Sequence, residues 1–161
     1  RFTTNHDESA KMSPTKEFGD VRGSMAAFVL TTYLHGGALI YGSQEAGYPE
    51  AINFFTYVPV DWTGNSELYQ EYCRLMALYN EYPAIRKGGL KTYPQPDVLL
   101  FEKQDGKDRV LVAVNVRNRE VNVTLPQEWN GHPSRDMYSG TEKKLEAELS
   151  LCPYQYRIFK Y

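Results

Sequence analysis

The feature that most limits what this chain can fold into is a change of pattern at Gly88-Gly89. Beyond that pair the sequence breaks into short alternating runs separated by turn residues: Val98 to Lys103, Arg109 to Asn115, Val121 to Leu125, Arg135 to Tyr138, Ala147 to Leu151 and Tyr154 to Lys160. Strands at this spacing, with no helical run between them, predict an antiparallel sandwich or barrel. The Asp105-Gly106 pair between the first two runs is a hairpin signal. The charged stretch from Glu142 to Glu148 reads as a solvated hairpin edge whose charges oppose edge-to-edge pairing. Trp129, inside PQEWNG, reads as a packing residue beside a turn.

Ahead of Gly88-Gly89 the pattern is helical. Met25, Phe28, Val29 and Thr32 recur at the spacing of a buried stripe and predict a helix from Val21 to Leu34, stopped at Gly36-Gly37. His35 reads as a C-terminal helix residue favoured by the dipole. A short apolar run, Ala38 to Tyr41, follows and reads as a strand buried on both faces. Residues 42–65 form a long irregular connection of the kind that carries function. A second helix is predicted from an Asn65 or Ser66 cap, with Leu68, Tyr72, Leu75, Met76 and Tyr79 on its apolar face. Helix, glycine turn and buried strand belong to parallel α/β architecture, yet one parallel strand makes no sheet. Either partner strands lie outside the chain, or this segment packs some other way.

Composition excludes several classes. A net charge of −2 and a pI near 6.0 leave no basic face for nucleic acid. No apolar run approaches the ~20 residues of a membrane span, so no membrane partner is expected. Cys73 and Cys152 read as two buried free thiols, without zinc-site spacing. The 13 tyrosines suit sugar or protein docking and also half-wet sheet faces.

Three stretches resemble the α-amylase family of glycoside hydrolases. Phe2-Thr3-Thr4-Asn5-His6-Asp7 fits a family signature, a Phe and two variable residues before Asn-His-Asp. Gly37 to Gly47 resembles the final barrel strand and the loop after it, although Ala38 lacks the accompanying proline and Gly42-Ser43 transposes the usual order. Leu68 to Gly89 resembles the last barrel helix and the entry to the C-terminal β-domain. The resemblance implies residues 1–89 as the last two units of a partial TIM (β/α)8 barrel, an α/β fold. Residues 90–161 would follow as an all-β antiparallel Greek-key sandwich. The chain would then be a C-terminal piece of a longer enzyme.

In such a barrel the Asn-His-Asp cluster lies at the C-terminal face, where the active site is built. Asp7 takes the place of the family's third carboxylate, hydrogen-bonding the sugar and favouring an oxocarbenium-like transition state. His6 would donate to hydroxyls of the same sugar. Asn5, also on the substrate side, would orient the loop, and Phe2 would pack within the barrel. The nucleophilic Asp and the acid/base Glu of a retaining mechanism are missing. None of Glu8, Asp20, Glu45, Asp61 or Glu67 sits in a matching motif, so the chain alone is expected to be inactive. Glu45 reads as a loop-anchoring acceptor. Tyr57 and Trp62 read either as sugar-stacking or as packing residues.

The implied partner is an α-1,4-glucan oligosaccharide or starch. No cofactor or metal is expected in this chain, with calcium open for the longer parent. A secreted or periplasmic compartment suits a polysaccharide-acting parent better than the cytoplasm. The helices' apolar faces are expected to dock on the β-domain or on another chain, so self-association is open. The competing reading is a non-catalytic carbohydrate-binding or scaffold relative. A third is that residues 90–161 act alone as a sugar-binding module.

Overall fold

The computed structural model describes residues 1–161. Four helices precede eight strands: α1 Pro14–Glu17, α2 Val21–Tyr33, α3 Ser66–Glu81, α4 Pro83–Lys87, β1 Gly89–Tyr93, β2 Val98–Asp105, β3 Asp108–Asn115, β4 Val121–Thr124, β5 Pro133–Asp136, β6 Glu142–Lys144, β7 Glu148–Leu151 and β8 Tyr156–Lys160. The helix α1 is a single turn just ahead of α2. Its Pro14 sits in the first turn, where a missing N–H costs nothing.

Six strands form one sheet in the order β1-β2-β3-β8-β5-β6, and β4 pairs with β7 in a second. All pairings are antiparallel. The hairpin between β2 and β3 turns through Gly106 at φ 61°, a conformation glycine adopts without a Cβ clash. One strand goes beyond the sequence reading, the edge strand β1; β6 is the outer strand of a hairpin within the charged stretch that read as a solvated hairpin edge. The fifth strand begins two residues earlier than its run predicted.

The large sheet is covered on both faces. Along β3, Val110, Val112 and Val114 face the helices, while Leu111 and Ala113 face the small sheet. Phe101 and Ile158 join the first group; Val98, Leu100 and Phe159 join the second. The helix-side core is completed by Phe28 and Val29 of α2, Leu75 of α3 and Ile85 of α4, all fully buried. The other core is closed by Val121, Val123, Leu151 and Trp129. The molecule is thus helix layer, large sheet, small sheet.

Polar side chains tie the layers. Tyr33 Oη donates to the Leu75 carbonyl at 2.6 Å, locking α2 to α3. Lys103 is fully buried and its Nζ donates to the Leu34 carbonyl at 3.2 Å, where the C-terminal dipole of α2 favours a cation. Burial, with the charge of Arg1, pushes the Lys103 ammonium below its usual range. Asn115 Nδ2 donates to carbonyls of Leu151, Cys152 and Arg119, joining the end of β3 to the end of β7.

In the second core Glu102 accepts from Arg109 Nε at 2.6 Å, Trp129 Nε1 at 2.8 Å and Tyr93 Oη at 3.0 Å. Burial alone would raise its carboxyl, but hydrogen bonds from Arg109, Trp129 and Tyr93 outweigh it and hold the group below the usual range.

Several expectations are corrected. Ala38–Tyr41 forms no strand, and Leu39 and Ile40 are exposed. No barrel unit forms within this chain, because a lone parallel strand has no ladder partners. The helices instead lie on an antiparallel sheet. Cys73 and Cys152 are both exposed and unpaired. Cys73 lies off the buried stripe of α3, and Cys152 sits in the turn before β8. No helix is long and apolar enough to cross a membrane.

Leu75→Ala should destabilise the chain by ~2–5 kcal/mol in urea unfolding, the range for emptying a fully buried leucine site. A loss within the noise would mean that the helices do not cover the sheet. Glu102 has a depressed folded-state pKa, so its contribution is complete above the unfolded carboxyl pKa of ~4.5 and is lost as pH falls through the folded value. The stability gap between wild type and Glu102→Gln should therefore be larger near pH ~7 than near pH ~3. An equal gap at both would contradict the charged network.

Candidate functional site

The segment from Arg1 to Ser13 runs beside the loop after Ile40. Asn5 organises its opening turn: its Oδ1 accepts from the backbone N–H of Asp7 at 3.0 Å and of Glu8 at 2.9 Å. This is an Asx turn, which the short polar side chain of asparagine forms readily. The Ser9 N–H then donates to the Asn5 carbonyl at 2.9 Å, and the Ile52 N–H to the Ser9 carbonyl at 2.7 Å. Ser13 Oγ donates to the Pro49 carbonyl at 2.7 Å. The turn is therefore held at its base by residues 49–52.

With the backbone so held, His6 and Asp7 project outward. Their side chains are 71% and 65% exposed, and His6 Nε2 lies 3.4 Å from Asp7 Oδ1. The His6 ring lies 6.4 Å from that of Tyr41, centroid to centroid. The structure thus brings Asn5, His6, Asp7 and Tyr41 to one rim. An exposed carboxylate beside an imidazole can accept from and donate to vicinal hydroxyls. No three His, Cys, Asp or Glu side chains converge as a metal-binding set.

The anchor of the following loop is Gln44, not Glu45. Gln44 is buried; its Oε1 accepts from the Tyr41 N–H at 3.3 Å and its Nε2 donates to Tyr72 Oη at 3.1 Å on α3. Glu45 Oε2 is buried without a partner. An amide can accept and donate at once, which a carboxylate cannot, so the bridge between loop and helix falls to glutamine. The local sequence signal for this role was the neighbour's identity alone.

Several apolar side chains in residues 1–62 are also exposed. Phe2 is 45% exposed rather than packed. Tyr57 and Trp62 also face solvent, so the packing alternative does not hold for them within this chain. Phe54 and Phe55 touch each other, with centroids 4.5 Å apart, and are exposed together.

Residues 90–158 match the family model described as Maltogenic Amylase, C-terminal domain. A cyclomaltodextrinase of Geobacillus thermopakistaniensis (strain MAS1) is 28% identical over 152 residues, covering 88% of this chain and 26% of that protein. The crystal structure of AmyP in complex with maltose superposes with a TM-score of 0.73 at 18% identity, over 87% of this chain and 34% of that one. The trehalulose synthase MutB from Pseudomonas mesoacidophila MX-45 gives a TM-score of 0.52 at 24% identity, over 60% and 18%. These two likenesses speak to fold. The chain spans about a quarter of the cyclomaltodextrinase's length.

Asn5→Ala should loosen the turn without unfolding the molecule. Amide exchange at Asp7 and Glu8 should quicken about fivefold, as loss of a capping acceptor worth ~1 kcal/mol implies. Unchanged exchange at both amides would mean that Asn5 does not hold the turn.

Proposed function

We propose, from the premise that this chain carries the C-terminal domain of an α-amylase-family glycoside hydrolase, that Asp7 and His6 serve α-1,4-glucan cleavage with retention in a longer enzyme. The observation that carries this reading is the division of labour in the opening turn. Asn5 spends its acceptor on two backbone amides, and the two residues after it are left exposed side by side.

In this reading Asp7 binds hydroxyls of the sugar at the cleavage point. Its charge favours the cationic ring of the transition state more than the neutral ground state, which is the condition for raising rate rather than affinity. His6 donates to a neighbouring hydroxyl and keeps the ring in place. The nucleophile and the acid/base, ~5–5.5 Å apart in a retaining site, come from chain outside these 161 residues. Leu39 and Ile40, exposed here, gain parallel neighbours and cover in the longer protein. The 161-residue chain on its own does not cleave glucans.

In the longer enzyme, Asp7→Asn should lower kcat on maltoheptaose by about 10²–10³ with a smaller change in KM, as loss of one transition-state contact does. Activity within about twofold of wild type would remove Asp7 from the chemistry. Reducing-sugar release by the 161-residue chain alone would overturn the account of its missing carboxylates.

A further inference from the structure

Three tyrosines are buried in the helix layer, Tyr33, Tyr72 and Tyr79, and their hydroxyls take different partners. Tyr33 Oη donates to the Leu75 carbonyl and Tyr79 Oη to the Gly36 carbonyl at 3.0 Å, so both tie α3 to the C-terminal half of α2 through backbone. Tyr72 Oη instead meets a loop side chain, Gln44 Nε2, at 3.1 Å. The Tyr72 ring packs on that of Phe28, with centroids 4.5 Å apart, and a phenylalanine would fill the same space. The hydroxyl is therefore not a packing requirement. Burial pushes its pKa up to about 12, against a smaller opposing pull from the Gln44 hydrogen bond. It is a neutral phenol at any working pH and accepts from an amide N–H without gaining charge.

Gln44 passes this constraint to the rim. Its carboxamide has an acceptor end and a donor end, and the Tyr41 N–H takes the acceptor at 3.3 Å. The donor end must then find an acceptor in the interior, because Gln44 is buried. Tyr72 Oη supplies it, and turning the amide over would break both bonds at once. The same loop is seated on the start of α3. Gly47 lies at φ 66°, where a Cβ would meet Leu68 Cδ2 at 2.9 Å. Leu68 and Tyr72 are four residues apart and share one face of the helix. The seam between this loop and the opening segment closes on ≈ 10 Å³, about the minimum for one water, with Thr4, Ser9, Tyr41 and Gln44 among its walls. Across that seam the His6 ring lies 6.4 Å from the Tyr41 ring. The residue before Tyr72 faces the β-domain: Glu71 accepts from Tyr156 Oη of β8. Adjacent residues of α3 thus hold the large sheet and the rim loop.

We propose that Tyr72 is a positioning residue for the reaction proposed above: through Gln44 it fixes Tyr41, and through Tyr41 the ring of His6. The role rests on the reading that His6 and Asp7 serve glucan cleavage; the mechanical link from Tyr72 to His6 does not.

Tyr72→Phe removes the hydroxyl and keeps the ring, and Gln44→Met removes both amide bonds at similar volume. Tyr33→Phe is the control, since it takes a buried hydroxyl from the same core without touching the loop. In the 161-residue chain, the Tyr41 amide and His6 imidazole resonances should move in Tyr72→Phe and in Gln44→Met and stay in place in Tyr33→Phe. In the longer enzyme acting on maltoheptaose, Tyr72→Phe should lower kcat about tenfold with KM within about twofold, whereas Tyr33→Phe should lower the melting temperature and leave kcat unchanged. In a His6→Ala background, Tyr72→Phe should cost less than about a further twofold, because residues that act through one another are not additive. Tyr41 and His6 resonances unmoved in both loop variants overturn the link. An equal kcat loss in Tyr33→Phe, or the full loss persisting without His6, overturns the positioning role. The resonance readout needs no catalysis, so failure of the catalytic reading, seen as a fully active Asp7→Asn, is distinguishable from failure of the link.

Discussion

The structure depends on one constraint: its large sheet is apolar on both faces and must be covered twice. Val110, Val112 and Val114 on one side of β3 and Leu111 and Ala113 on the other are all fully buried. A two-sided sheet of this kind exposes one apolar face to water unless a second layer is present. The small sheet covers one face and α2, α3 and α4 cover the other. The helices are therefore part of the sheet's own folding requirement. Lys103 makes the same point in polar form, since an ammonium at the centre of the sheet finds its partner at the end of α2.

This arrangement explains where function can sit. The rigid layers leave two kinds of irregular backbone, the rim built from residues 1–13 with the loop after Ile40, and the turn before β8. Rigid layers that position polar loops are the usual platform for binding. At the rim, Asn5 and Gln44 use side-chain amides to fix backbone, which frees His6, Asp7 and Tyr41 for outside contacts. At the turn, Asn115 and Gln155 likewise fix backbone, and Tyr154 packs against the helix layer. In both places an amide side chain fixes the loop.

Much of the β-rich part was legible, because hydrophobic alternation and the Asp105-Gly106 turn report local geometry directly. The buried stripes of α2 and α3 were legible for the same reason. The edge strand β1 was not, since four of its five residues are exposed and carry no alternation. Ala38–Tyr41 misled because a short apolar run reads as a buried strand whether or not neighbouring strands are present. The thiols misled because cysteine is usually buried, whereas these two lie off the stripe and in a turn. At the rim, Asn-His-Asp stood out only as a motif, and the turn that Asn5 organises is a finding of the structure. The roles of Gln44 over Glu45, and the left-handed Tyr154, arise from contacts between residues distant in sequence, which no local pattern carries.

The claim that sheet and helix layer fold as one unit is tested most directly by urea unfolding followed with two probes. Trp129 fluorescence reports the core between the sheets, and far-ultraviolet circular dichroism reports the helices. Coincident transitions with one midpoint are predicted. Helical signal lost at a lower urea concentration, with Trp129 still buried, would contradict the account.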